Sequence, residues 1–169
     1  MTKKLVLVKS KGAYTRELVQ NDKSNDIYIF TDNCDRTSGS QAIDNDSEYS
    51  KRFDKKGLKY PKMTSAVLRG LPNAYPVTTQ KRYIPGKKSA EGNWTDDDFE
   101  EFKKVIDDDF EHIKQAFVER KATQIIFPSN GVLNGKISKL TIGRTPKLYD
   151  YIVKKEIELK NFCENENNR

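Results

Sequence analysis

Three stretches of this chain carry side chains suited to recognising a small polar ligand. The richest is Thr31-Asp32-Asn33-Cys34-Asp35-Arg36-Thr37-Ser38-Gly39-Ser40, which follows the apolar run Ile27-Tyr28-Ile29-Phe30. A carboxylate such as Asp32 accepts from an amino group or a ribose hydroxyl, and an Asn at 33 both donates and accepts. Arg36 offers a planar fork for phosphate, while Ser38, Gly39 and Ser40 can turn backbone N–H groups toward an anion. The competing reading is a turn held by Asx hydrogen bonds.

The second stretch runs from Arg69 to Arg82. In it Gly70 and Asn73 permit close backbone approach, and Thr79 and Lys81 follow an apolar run. Gly70, Pro72 and Asn73 are equally what a helix-to-strand turn requires. The third stretch is Pro128-Ser129-Asn130-Gly131-Val132-Leu133-Asn134-Gly135, a small, donor-rich loop of the kind that wraps a diphosphate. It lacks the Lys-Ser/Thr ending of a P-loop and the spacing of the dinucleotide-binding glycines.

Other chemistries find little support. His112, the single histidine, stands beside the apolar positions of a helix and reads as decoration. Consecutive carboxylates at Asp107, Asp108 and Asp109 diverge by about 100° each on a helix and cannot converge on a metal. No Ser-His-Asp arrangement is visible, and no metal or organic cofactor is implied. Trp94 and Tyr83 flank a Gly-Lys-Lys loop and could stack on a base, although an aromatic before a helix commonly packs on it.

The elements that must position these stretches follow from periodicity. Leu5 to Val8 and Thr15 to Val19, separated by Gly12, predict an N-terminal β-hairpin. Ile27 to Phe30 predicts a strand buried on both faces. Residues 31–59 form a long polar stretch, and Thr64 to Arg69 reads as a short helix ended by Gly70. Ala74 to Thr79 is strand-like, with Pro76 confining it to an edge, a first position or a bulge. Thr95 caps a helix with Asp96, Asp97 and Asp98 in its first turn, and Phe99, Phe102, Ile106, Phe110, Ile113 and Phe117 recur at helical spacing. Thr123 to Phe127 is a further strand. Thr145-Pro146 starts a last helix through Leu148, Tyr151, Ile152, Lys155 and Leu159. Residues 161–169 read as a flexible tail, leaving one α/β domain over 1–160 whose ligand crevice lies beyond the carboxyl ends of its strands.

Composition bounds the remaining possibilities. The chain has 169 residues and a net charge of +6, with only two cysteines. Neither a disulfide framework nor a zinc ribbon is available, and the compartment expected is the cytoplasm. No stretch is apolar enough to predict a membrane span. Charge is unevenly spread: residues 51–88 hold eleven basic and one acidic side chain, whereas 89–120 hold four basic and eleven acidic. A basic segment of this kind attracts phosphate, whether of nucleic acid or of a small nucleotide.

The three stretches together resemble a divergent macro domain, the family that binds ADP-ribose and related nucleotides. The resemblance rests on Ile27-Tyr28-Ile29-Phe30-Thr31-Asp32-Asn33 with Gly39, on Gly70 to Thr79, and on Ile125-Ile126-Phe127-Pro128-Ser129-Asn130-Gly131, and spans about residues 26–160. Small uncharacterised phage proteins are similar in this arrangement, which implies the cytoplasm of a host cell. The resemblance implies a three-layer α/β/α sandwich with a mixed sheet. It further implies Asp32 and Asn33 near base or ribose, Gly39 on a phosphate, and Ser129, Asn130 and Gly131 around the diphosphate. The family's Asn-Ala-Ala-Asn is replaced by Thr31-Asp32-Asn33, which favours binding or sequestering over turnover. An enzymatic version would hydrolyse an ADP-ribosyl linkage, with Asp32 or Asp35 orienting water and Asn33 holding ribose. The alternative is a nucleic-acid or protein-binding module built on the basic 51–88 segment; its hallmark would be steep salt dependence.

Overall fold

The computed structural model describes residues 6–12, 15–34, 68–82, 92–129, 131–133 and 140–169. Four strands, β1 (Leu7–Lys9), β2 (Ile27–Asn33), β3 (Ala74–Gln80) and β4 (Ile125–Phe127), lie in the order β1-β4-β2-β3. Every pairing among them is parallel, from Leu7 opposite Ile125, through Ile27 opposite Ile125, to Tyr28 opposite Ala74. The mixed sheet expected from sequence is therefore not what the described strands form. Consecutive parallel strands need crossovers: α1 (Arg16–Gln20) joins β1 to β2 and α2 (Phe99–Glu119) joins β3 to β4, each connection passing over one strand of the sheet.

The N-terminal hairpin gives way for the same reason. Its second arm is α1, started by Thr15, whose Oγ1 accepts the Leu18 N–H at 3.0 Å. Arg16 and Val19 are its buried residues, three apart on one helical face. The short run Arg16-Glu17-Leu18-Val19 fits a strand equally well by composition, and the cap decides it.

β2 is buried at all seven positions, as a central parallel strand covered on both faces must be. Its alternate residues feed two apolar clusters. Ile27 and Ile29 join Val77, Ile125, Phe127 and the inner faces of α2 and of α3 (Pro146–Asn167). Tyr28 and Phe30 join Val19 of α1 with Leu68, Leu71 and Ala74. Asp107, Asp108 and Asp109 cost α2 roughly 0.5 kcal/mol each in intrinsic propensity. Burial of Phe102, Ile106, Phe110, Ile113 and Phe117 contributes about 2 kcal/mol apiece and wins.

The start of α2 follows the sequence expectation. Thr95 precedes a 3-10 turn over Asp96–Asp98, and the Asp98 carboxylate accepts from the Thr95 N–H at 3.0 Å in a capping box. Trp94, 2% exposed, packs edge-on against Phe102 and donates its indole N–H to the Thr78 carbonyl at 3.1 Å. Trp94 is thus a core residue. Pro146 sits at the start of α3, where the Lys147 and Leu148 N–H groups point at the Asp96 carboxylate, each at 3.4 Å. The segment read as a tail from 161 is the last turns of α3, anchored by the fully buried Cys163.

Among the described strands β3 lies at the end of the sheet, one of the positions that Pro76 allows. Its backbone is capped from outside: Pro76 has no N–H, and the Thr78 N–H donates to Asp109 of α2 at 2.7 Å. Beyond the strand, Arg82 N–H donates to the Gly92 carbonyl at 3.0 Å. Of the short helix expected over Thr64 to Arg69, only Leu68 and Arg69 belong to the described residues. Among the described residues no helix is long and apolar enough to cross a membrane.

Candidate functional site

Unequal strand lengths shape the carboxyl end of the sheet. β2 pairs with β4 only through Tyr28 and then continues for five residues, Ile29 to Asn33, or about 16 Å at roughly 3.3 Å per residue. β1 and β4 stop at Lys9 and Phe127. The result is a notch floored by the ends of β1 and β4 and walled by the projecting end of β2. The chain leaving β2 returns at Leu68 and Leu71 on the Tyr28 face, whereas the chain leaving β4 leads to α3 on the Ile29 face. Adjacent strands whose connections part to opposite faces form the crevice in which open parallel sheets hold ligands.

At the wall of this notch Asp32 is fully engaged. The Arg69 guanidinium grips it bidentately, Nε donating to Oδ2 at 2.8 Å and Nη2 to Oδ1. Oδ1 also accepts the Asn33 N–H at 2.8 Å. The Asp32 side chain is 0% exposed and that of Arg69 9%. Arg16 of α1 donates from Nη1 to the Arg69 carbonyl at 2.8 Å. A carboxylate taken out of water needs such partners, because an unpaired buried charge costs several kcal/mol. Both Asp32 oxygens thus serve protein donors, and the carboxylate fixes the backbone at Asn33, where the register with β3 slips between Asp32 and Asn33. Thr31 and Asn33 are buried beside it.

The floor is built by the loop after β4. Gly131 adopts φ 74°, the left-handed region that favours glycine, and its N–H donates to the Pro128 carbonyl at 2.7 Å. Pro128 is buried and Ser129 exposed, while Val132 and Leu133 pin the loop to the core. Ser10, just after β1, donates its N–H to the Phe127 carbonyl at 2.9 Å. The Lys9 side chain passes over the loop, its Cε 4.0 Å from where a Cβ on Gly131 would stand.

The remaining sequence candidates divide. Thr79 is buried at the carboxyl end of β3. Lys81 follows it, with Nζ 3.0 Å from Asp98, 3.2 Å from Glu101 and above the Trp94 ring. The Asp98 and Glu101 hydrogen bonds hold the Lys81 ammonium above its ordinary pKa. Asn73 precedes β3 at the opposite end of the strand, where Nδ2 donates to the Val19 carbonyl at 2.9 Å. Gly70 takes φ 88° in the turn before it. Thr31, Asp32, Asn33, Thr79 and Lys81 therefore share the carboxyl edge with Pro128, Ser129 and Gly131, and Asn73 does not. Asp35, Arg36, Ser38, Gly39, Ser40, Asn130, Asn134 and Gly135 lie outside the described residues, as does Tyr83.

Two features at or near this edge carry no sequence signal that pointed to them. Arg69 is 37 positions from Asp32 and lies inside the second candidate stretch, but a solitary Arg does not announce its partner. Glu156 occupies the core-facing stripe of α3, four residues after Ile152 and three before Leu159. Burial pushes its carboxyl up to about 7, against the opposing pull of Lys9. Elsewhere, His112 is exposed on α2 and lines a shallow cavity of about 150 Å³ with Tyr75, Pro76 and Asp109, on the outer side of β3 and away from the notch. Among the described residues no cluster of three or more metal-ligating side chains occurs.

A family model described as a family of unknown function, DUF7831, matches residues 9–155. No curated protein and no solved structure matches the chain.

Proposed function

We propose that this chain, which belongs to the DUF7831 family of unknown function, binds an ADP-ribose-like nucleotide in the notch between the ends of β2 and β4. On this reading the fold is a divergent, three-layer macro-domain-like arrangement. The observation that supports it best is the projection of β2 five residues past its last pair with β4, with the connections parting to opposite faces. Thr31 and Asn33 are the side chains for base and ribose, and the Ser129–Gly131 turn supplies room for a diphosphate.

The engagement of Asp32 by Arg69 and by the Asn33 N–H bears on chemistry. A general base needs a lone pair aimed at a water, and both oxygens of Asp32 already accept from the protein. Binding or sequestering is therefore better supported than hydrolysis, with Asp32 setting the position of Asn33. The basic-segment alternative draws less support. Of its three cations among the described residues, Arg69 is tied to Asp32 and Lys81 to Asp98 and Glu101, whereas Arg82 is exposed.

The test is calorimetric titration with ADP-ribose at low and at moderate salt. Saturable binding that survives the added salt, and weakens at least tenfold in Asn33→Ala, is the expected outcome. No heat at millimolar ADP-ribose overturns the reading.

A further inference from the structure

The outer edge of β3 has its donors taken and its acceptors left. In a parallel strand the N–H and C=O of one residue point to the same side, and the Asn73 carbonyl accepts from the Tyr28 N–H of β2. Ala74, Pro76 and Thr78 therefore direct theirs away from β2. The Ala74 N–H donates to the Leu71 carbonyl at 3.2 Å, Pro76 has no N–H, and the Thr78 N–H donates to Asp109 of α2 at 2.7 Å. Trp94 occupies the Thr78 carbonyl at 3.1 Å. The edge is left with the Pro76 carbonyl, beside a carboxylate that α2 brings to it.

Pro76 and Asp109 line the cavity of about 150 Å³ together with Tyr75 and His112. Asp109 is 5% exposed, so its carboxylate is built into the wall. His112 stands three residues on, along the same face of α2, and is exposed. Tyr75 is half-buried, its hydroxyl tied to the Pro72 carbonyl at 3.4 Å. The volume suits one flat group of about six atoms. It falls short of the roughly 300–1,000 Å³ that encloses a whole small-molecule ligand. Among the described residues that line it, none is a lysine or arginine. The exposed Asp108, one turn before His112, adds negative charge at the mouth. Lys114 lies over the Phe162 ring of α3, and Lys103 and Lys104 stand more than two turns before His112.

We propose that this cavity seats one arginine side chain of a partner protein. A guanidinium is flat and charged and carries its donors in a fork, so it serves a carboxylate and a carbonyl together. The Tyr75 and His112 rings give its faces aromatic neighbours. A lysine ammonium, a compact point charge, uses neither the flat walls nor the paired acceptors as well. The size of the cavity selects a side chain presented by another chain over a free ligand. The site lies on the outer side of β3, away from the notch, and stands or falls independently of the nucleotide reading.

His112 is the single histidine of the chain, so its imidazole C–H signals in a proton NMR spectrum report on the cavity directly. Three probes are titrated at pH 8 and constant ionic strength: a blocked Gly-Arg-Gly tripeptide, its neutral isostere with citrulline in place of arginine, and methylguanidinium. The arginine tripeptide should shift the His112 signals saturably, with a Kd in the millimolar range that one side chain supplies. The citrulline tripeptide should bind at least tenfold more weakly. Asp109→Asn keeps an oxygen for the Thr78 N–H and removes the charge, so it should weaken the arginine tripeptide at least tenfold, with a thermal melt confirming the fold. Equal shifts from the arginine and citrulline tripeptides refute charge recognition, and they do so in the wild-type chain even if Asp109→Asn fails to fold. Saturable binding of methylguanidinium with exclusion of the tripeptide overturns the partner's arginine in favour of a free guanidinium compound. No shift from any probe overturns the site.

Discussion

Replacing Glu156 by Gln removes the titration and keeps the shape, so its effect on stability must depend on pH in a way that can be worked out in advance. Burial raises the carboxyl from 4.5 to about 7 in the folded chain. Between those values the folded state holds a proton that the unfolded state has released. Stability therefore falls as pH rises, since its slope follows protons bound in the unfolded state minus those in the folded. The contribution is present in full below 4.5 and is lost as pH passes through 7. At about 1.4 kcal/mol per unit, the shift corresponds to about 3 kcal/mol at most. Urea unfolding of both proteins at pH 4.5, 6, 7 and 8 reads this as a difference from which all other titrating groups cancel. Glu156→Gln should match the wild type near pH 4.5 and exceed it by up to about 3 kcal/mol at pH 8, with the change concentrated between 5 and 7. A difference that stays constant across the range refutes the placement of this carboxyl in the core-facing stripe.

Two further expectations concern the ends of β2 and β3. Arg69→Ala strands the buried Asp32 carboxylate and should cost about 3–5 kcal/mol by chemical denaturation. The double change with Asp32→Ala should cost less than the two single losses combined, and strict additivity would show that the pair is not coupled. Gly92→Ala puts a Cβ 1.9 Å from the Arg82 carbonyl oxygen, so the backbone bridge between Arg82 and Gly92 must open. About 2 kcal/mol, or a Tm lower by roughly 4–8 °C, is expected, and an unchanged melt would place Gly92 elsewhere.

Much of the fold was legible where one periodicity ran long enough to dominate. The Phe99 to Phe117 spacing, the Thr95 cap, the Thr145-Pro146 start and the continuous apolar run of β2 each follow from local chemistry. Legibility failed where the deciding interaction was short or distant. Five residues at Arg16–Gln20, little more than one turn of helix, are too few to be told from a strand except through Thr15. The last turns of α3 carry Asn161, Glu164, Asn165 and Glu166 and read as a solvated tail, yet Phe162 and Cys163 bind them to the core. In the candidate site, the strand-end position of Asp32 and Asn33 was readable from sequence. The occupation of Asp32 by Arg69 was not, because no local pattern encodes a contact across 37 residues. Glu156 was hidden by its residue type: a glutamate on a helix reads as solvated, and only its place between Ile152 and Leu159 argues otherwise.

The capping of β3 limits how this molecule can associate. A peptide or second chain that extended the sheet at this side would need a row of accessible N–H groups. Instead it meets a proline ring at Pro76, a carboxylate already bound at Thr78 and the chain's own Gly92 at Arg82. Growth by strand addition is blocked there by backbone chemistry, whatever the concentration. Assembly at this face, if it occurs, must be written in side chains, and it can be altered residue by residue without touching the sheet.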